Sequence, residues 1–467
     1  MRKNAIIPVT LMLLVLSFES FSARPTTEQI AARRANSLLA KIADTLTPGT
    51  WAKVPIIPFT THTYVYNDTT YNLGLLTSPP PSRGLDILGW TDDSHWDSVT
   101  GQYLHMGMRQ TRKFISYTEE SNSWKIIPLP FNHDSANSPH IESKWGHIYA
   151  NNAFDIENSR FYHHAHAGVD MSGASTPTRI CYYDLFEEKW TLIANPPSLN
   201  KESVIEYFNA KKGLITLSQG LGGGIVNFYS DSTKRWVKLD DSLPVCGYHS
   251  TGRHNPFREE ILITGGNYST NVMMRIKKDG TIERLNDSPV KMGVNSSIIS
   301  VDPVSGRYLI KGADSAGVDC YYEFDSDRNS YRKLNLPKIW STYDMPTCAF
   351  VAEYKVVMWQ YGNKVYVYKH DTAKNTSEEL AGMKKEQTTA FTVSPNPVSS
   401  SLSFNNGRTL RNSIVEIYDA SGKRIEKVDL SIASAISTGN RYSNGVYFAK
   451  LSIDGKANKT IRFLVAR

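Results

Sequence analysis

The chain has 467 residues, of which 11% are aromatic, with 30 glycines and 22 prolines. This length suggests more than one domain. The turn-rich composition, with little helical periodicity beyond residue 48, excludes a helical bundle and favours an all-β protein. The formal charge of +7 is dispersed, with no Lys/Arg run interleaved with aromatics. Nucleic acid is therefore not an expected partner, whereas an anionic glycan is compatible with the charge.

Residues 1–22 open on Arg2 and Lys3, continue through an apolar run from Ala5 to Phe18, and end at Ser20-Phe21-Ser22. This is the pattern of a signal peptide with a small-x-small cleavage site. Pro8 and Thr10 interrupt the run, which is too short for a membrane span, and no later segment is long and apolar enough to be one. The mature chain is thus expected to be exported and to lack a transmembrane segment. Residues 24–48 predict one helix. Thr26 and Gln29 form a capping-box pattern, Ile30, Ala31, Leu38, Leu39, Ile42 and Leu46 lie near one face, and Pro48-Gly49 stops it.

From residue 50 short strands and turns replace the helix, and a repeat emerges. Phe114–Trp124, Ile180–Trp190, Val226–Trp236, Met274–Ile282 and Tyr321–Tyr331 each read as a strand, a polar turn and the start of an outer strand, with a proline following. Trp190, Trp236 and Ile282 recur at intervals of 46 residues, and Tyr331 follows 49 later. A second hairpin precedes most of them, at Asp97–Tyr103, Asp155–Phe161, Asn255–Ile261 and Asp302–Tyr308. The period suits four-stranded propeller blades. The last unit, Thr347–Met358 with Val365–His370, lacks an outer strand, and Thr50–Ile57 looks like the missing one. Pairing the first strand with the last blade would remove an open edge. The expected fold is a six-bladed β-propeller over residues 50–376, followed by a small C-terminal β-sandwich. Seven blades is the alternative, because residues 60–82 are unassigned.

Residues 377–390 read as a polar linker. Residues 391–467 then alternate as short strands, with turns at Ser421-Gly422 and Asp454-Gly455. Cys181, Cys246, Cys320 and Cys348 form no CxxC pair, which argues against a zinc knuckle. Export permits disulfides, and both disulfides and buried thiols stay open.

The Tyr…Trp hairpins and Gly265-Gly266 resemble the kelch and galactose-oxidase-like propellers. The copper-site Cys–Tyr arrangement of the latter is not recognisable. The elements Pro395-Asn396-Pro397, Tyr418-Asp419 with Gly422-Lys423, and Gly445-Val446-Tyr447-Phe448 resemble the C-terminal sorting domain of the Bacteroidetes type IX secretion system. That resemblance implies the type IX machinery as a partner, and secretion or anchoring at the outer cell surface.

Eight of the twelve histidines fall within residues 95–166. The start of an inner strand and the end of the next share one rim, which places His147 near His166. By the period-two rule His164 shares the face of His166, and His163 points the other way. The same rim is expected to carry Arg109, Tyr248 and His249, with Arg253 further down its strand. No cofactor is expected. A divalent metal shared by His164 and His166 is the alternative, since imidazole is a common metal ligand. Gly220–Gly224 lacks the Lys and strand–helix context of a phosphate loop, and no nucleophile elbow is present.

One chemistry fits a His/Tyr/Arg rim. β-Elimination in a uronate polysaccharide needs a cation or donor on the carboxylate, a base for the adjacent C–H and an acid for the leaving oxygen. The set is similar to that of propeller-type ulvan lyases. The resemblance implies His147, His166 and Tyr248 as catalytic groups, and Arg109, His164, His249 and Arg253 of the same region are expected to bind substrate. The alternative is a non-catalytic propeller of the cell surface that binds glycan or protein.

Overall fold

The computed structural model describes residues 24–466 except 67, 78–85, 90, 92–93, 108–112, 129–147, 166–167, 170–174, 177–178, 198–203, 220–222, 246–248, 267–270, 315, 337–345, 373–391, 395–397, 399–400, 406–412, 431–434, 438–441 and 454–455. The signal-peptide and linker segments lie outside the described residues. The chain divides into two compact units, Met1–Lys374 and Asn375–Arg467.

Unit one holds six four-stranded antiparallel sheets, laid out as propeller blades. Blade 1 comprises Ser94–Asp97, Gln102–Gly107, Lys113–Thr118 and Ser123–Ile127, from the inside outward. Blade 2 comprises Asn152–Asp155, Arg160–Ala165, Arg179–Asp184 and Lys189–Ile193. The innermost strands of blades 3 to 6 are Val204–Phe208, Ser250–Asn255, Ile298–Val301 and Thr347–Val351. Neighbouring innermost strands lie side by side in this order, and that of blade 6 lies beside that of blade 1. The outer strand of blade 6 is Thr50–Val54, paired through Trp51↔Tyr368 and Val54↔Val365. Among the described residues of 60–77 there is a two-stranded hairpin, His62–Tyr66 with Thr69–Leu73, and no four-stranded sheet.

The repeat has a physical cause. Trp190 Nε1 donates to Pro128 O at 2.9 Å, Trp236 Nε1 to Ala194 O at 2.7 Å, and Tyr331 Oη to Asn286 O at 3.1 Å. Each outer aromatic thus staples its blade to the chain leaving the preceding blade. The inner hairpins carry a second latch. Asp97 accepts from Ser159 Oγ at 3.0 Å, and Asp155 accepts from Asn209 Nδ2 at 3.3 Å. These turns end in left-handed residues, Ser159, Lys212, Glu259 and Lys355 among them.

The blade faces are closely packed. A Cβ on Gly252 would stand 2.7 Å from Val204 Cγ1 and 3.2 Å from Glu206 Cγ, between blades 3 and 4. We expect Gly252→Ala to cost about 1–3 kcal/mol through overpacking. A urea midpoint equal to that of the wild type would refute this.

The expected single N-terminal helix is two, α1 (Thr27–Asn36) and α2 (Leu38–Thr45). The predicted capping box is present at Thr26 and Gln29. The break falls at Ser37, which is extended, caps α2 by accepting from Ala40 N, and donates to Glu119 Oε2 at 2.9 Å. Arg33 pairs with Glu119 Oε1 at 2.7 Å and donates to Ser98 O and Val99 O. Both helices therefore pack on the propeller.

Unit two contains a three-stranded sheet of Thr392–Ser394, Ser401–Asn405 and Ala435–Ser437. Its four-stranded sheet is ordered Arg424–Asp429, Ser413–Asp419, Gly445–Ile453, Lys456–Val465. One core of Leu402, Phe404, Val415, Ile417, Tyr447 and Leu451 draws on both sheets. Cys181, Cys320 and Cys348 are buried free thiols, and Cys246 lies outside the described residues.

Candidate functional site

The innermost strands of all six blades converge on the propeller axis. There a cavity of about 30 Å³ is lined by His95, Phe154, Glu206, Arg253, His254 and Ser300 among others. That volume holds one or two waters and is far too small for a sugar ring. Arg253 reaches from blade 4 to the opposite side, where its Nη1 donates to Ser94 O of blade 1 at 3.4 Å. Arg253 is buried. It sits within the axis and not on an open rim.

His95 stacks on Phe154 with ring centroids 5.9 Å apart, and His254 meets Phe208 edge-on at 5.7 Å. Burial, then the charge of Arg253, pushes both imidazoles down, His254 to about 3. Both are neutral in the folded protein. Unfolded, each titrates near 6.5, so below that pH the unfolded chain takes up protons that the folded chain refuses. Stability is thus expected to fall as pH drops below about 6.5, and the His254 share continues towards about 3 at up to about 1.4 kcal/mol per pH unit. In urea unfolding at a series of pH values, His254→Gln should show a shallower fall than the wild type. Parallel curves would contradict this assignment.

The rim where the inner strands begin is built differently. His163 and His164 alternate faces and both are buried. His163 Nδ1 meets Asn152 Oδ1 at 2.9 Å, and His164 Nδ1 meets Asn151 Oδ1 at 2.9 Å. His164 is thus held within the blade. His249 is half-buried, and its ring lies 5.3 Å from that of Tyr149. Both residues have left-handed backbones, with φ of 66° and 49°. Such conformations cost a non-glycine residue energy and cluster at working sites. The surroundings hold them. Thr91 Oγ1 donates to Tyr149 O at 3.2 Å, and Val294 N donates to His249 O at 3.0 Å. Gly293, with φ of 108°, lies so close to His249 O that a Cβ would not fit, and Gly265 in turn packs on Gly293.

His147, His166, Tyr248 and Arg109 lie outside the described residues. Of the expected set, the structure thus places His164, His249 and Arg253, and it brings only His249 to the rim. Tyr149 was not singled out from the sequence. Its signal is its position just ahead of an inner strand, as His249 and Asn295 are, and Asn295 is also left-handed with φ of 63°. Among the described residues no group of three or more His, Cys, Asp or Glu is placed to hold a metal ion. Nor is any described helix long and apolar enough to cross a membrane.

Residues 392–466 match the family described as the secretion system C-terminal sorting domain. Six blades ahead of such a domain define an exported propeller protein. The chain is directed through the type IX system to the medium or the outer cell surface. No curated protein matches the chain. Among solved structures, YjhT is similar at 13% identity over 46% of this chain and 73% of that chain, with a TM-score of 0.33. TolB from Acinetobacter baumannii is 11% identical over 66% of this chain and 70% of its own, with a TM-score of 0.38. A chain of a mitotic checkpoint complex is 12% identical over 70% of this chain and 95% of its own, also with a TM-score of 0.38.

Proposed function

We propose that the protein cleaves a uronate-containing polysaccharide by β-elimination at the rim around Tyr149 and His249. The observation that carries this reading is the contact between those two rings, on backbones held in a costly conformation. In sequence His147 stands two residues before Tyr149, and Tyr248 directly precedes His249. His147, His166 and Tyr248 serve as acid–base groups, removing the proton beside the carboxylate and protonating the leaving oxygen. Arg109 neutralises the carboxylate, which lowers the barrier to proton removal. Arg253, buried on the axis, supports the inner strands from below. His164, fixed by Asn151, positions the strand that leads to His166.

A non-catalytic glycan-binding surface is the second reading. It is favoured by the burial of His164 and Arg253, which leaves fewer tuned groups for the rim. The two readings separate in one experiment on the full chain. Under the lyase reading, His147→Ala and Tyr248→Phe lower product formation by about 10²–10⁴-fold while polysaccharide binding, followed by affinity electrophoresis, persists. Binding without product from any uronate polymer supports the second reading and sinks the first.

A further inference from the structure

We propose that the cleft between α1 and blade 1 is a separate binding site for a neutral, hydroxyl-rich saccharide. The cleft measures about 700 Å³, within the range of small-ligand sites and unlike the axial cavity. Gln29 and Asn36 of α1 face Gln102, Thr118, Glu120 and Lys125 of blade 1 across it. Its helical wall is fixed, because Arg33 and Ser37 both bond the buried Glu119.

Three amides in this lining are each held at one end. Gln29 Oε1 accepts from Thr26 N at 2.8 Å, and Gln102 Oε1 accepts from Ser116 Oγ at 2.9 Å. Asn36 Nδ2 donates to Ala32 O at 3.0 Å. Among the described residues, the NH2 groups of Gln29 and Gln102 and the Oδ1 of Asn36 make no further hydrogen bond. A side chain fixed at one end loses little rotamer freedom when the other end binds. Two amide donors and one acceptor on facing walls match hydroxyls, which donate and accept at once. The charges nearly balance, since Arg33 is paired with Glu119 and the other charged lining residues are one anion, Glu120, and one cation, Lys125. A balanced lining selects against a polyanion, so this site is independent of the uronate reading of the rim. The residues named bring no aromatic face, so recognition rests on hydrogen bonds and not on stacking.

The test is calorimetric titration of the full chain with cellohexaose, xylohexaose, mannohexaose and maltohexaose. At least one is expected to bind. Asn36→Ala, on the exposed helix face, and Gln102→Ala should each weaken that binding about 3- to 10-fold, the effect of one hydrogen bond. Their thermal unfolding should match the wild type, and His249→Ala should leave the binding unchanged. The site is disproved if none of the four binds, if both variants bind as the wild type does, or if His249→Ala alone abolishes binding.

Discussion

Removal of residues 392–466 is expected to leave nearly all of the protein in the periplasm. Unit two has its own hydrophobic core, with Leu402, Ile417, Ala449 and Leu451 fully buried, and it matches a sorting domain along almost its whole length. The propeller strands pair within unit one. Loss of the sorting domain therefore removes the export signal without removing any blade strand. Fractionation of a host with a working type IX system, with blots of periplasm, outer surface and medium, reads the result. A truncated chain that reaches the surface or medium as the full chain does would refute the assignment of unit two.

The second large effect is expected from Glu323→Gln in blade 5. The carboxylate of Glu323 lies 2.8 Å from Arg307 Nη1, 2.6 Å from Arg332 Nη2 and 2.5 Å from His370 Nε2. All four side chains are at most 12% exposed. Burial pushes the Glu323 carboxyl up, but hydrogen bonds from His370 and Arg332, with their charges, prevail and hold it down at about 2. The neutral amide removes a buried counter-charge shared by Arg332 and Arg307, of which Arg307 keeps a second one, Asp325 Oδ2 at 3.3 Å. Breaking such a group is expected to cost about 3–5 kcal/mol, against total stabilities of about 5–15 kcal/mol for a typical domain. The pH dependence identifies the cause. A carboxyl lowered on folding contributes stability above its unfolded pKa near 4.5, and that stability is lost as pH falls through about 2. The variant should therefore lose the Glu323 share of the slope between these values while keeping the share that His254 produces between about 6.5 and 3. An unchanged slope below pH 4.5 would show that Glu323 is not the group responsible.

The blade repeat was legible because its cause recurs from blade to blade. Trp190 and Trp236 keep their spacing because each must reach a carbonyl of the preceding blade. The strand at Thr50–Val54 was legible as the complement of a blade that lacked its outer member. The helix break at Ser37 was not, because its partner Glu119 lies 82 residues away and helix periodicity runs through it. Arg253 was expected further down its inner strand as a substrate-binding group, because alternation tells which residues share a face, but not what lies across the axis from them. Its partner Ser94 lies on the opposite blade, 159 residues distant in sequence. Tyr149 is marked in the sequence only by its position just ahead of an inner strand, a position that many residue types fill. Its left-handed backbone and its contact with His249 are what single it out.

Cleavage of a uronate polysaccharide at the rim around Tyr149 and His249 is the proposed work of this exported propeller. The direct measurement is the ultraviolet absorbance of unsaturated products released by the purified full chain from a panel of uronate polymers. Release from at least one polymer, lost in His147→Ala with unchanged thermal unfolding, is the predicted result. No release from any polymer by a folded chain, or release that His147→Ala leaves intact, would contradict it.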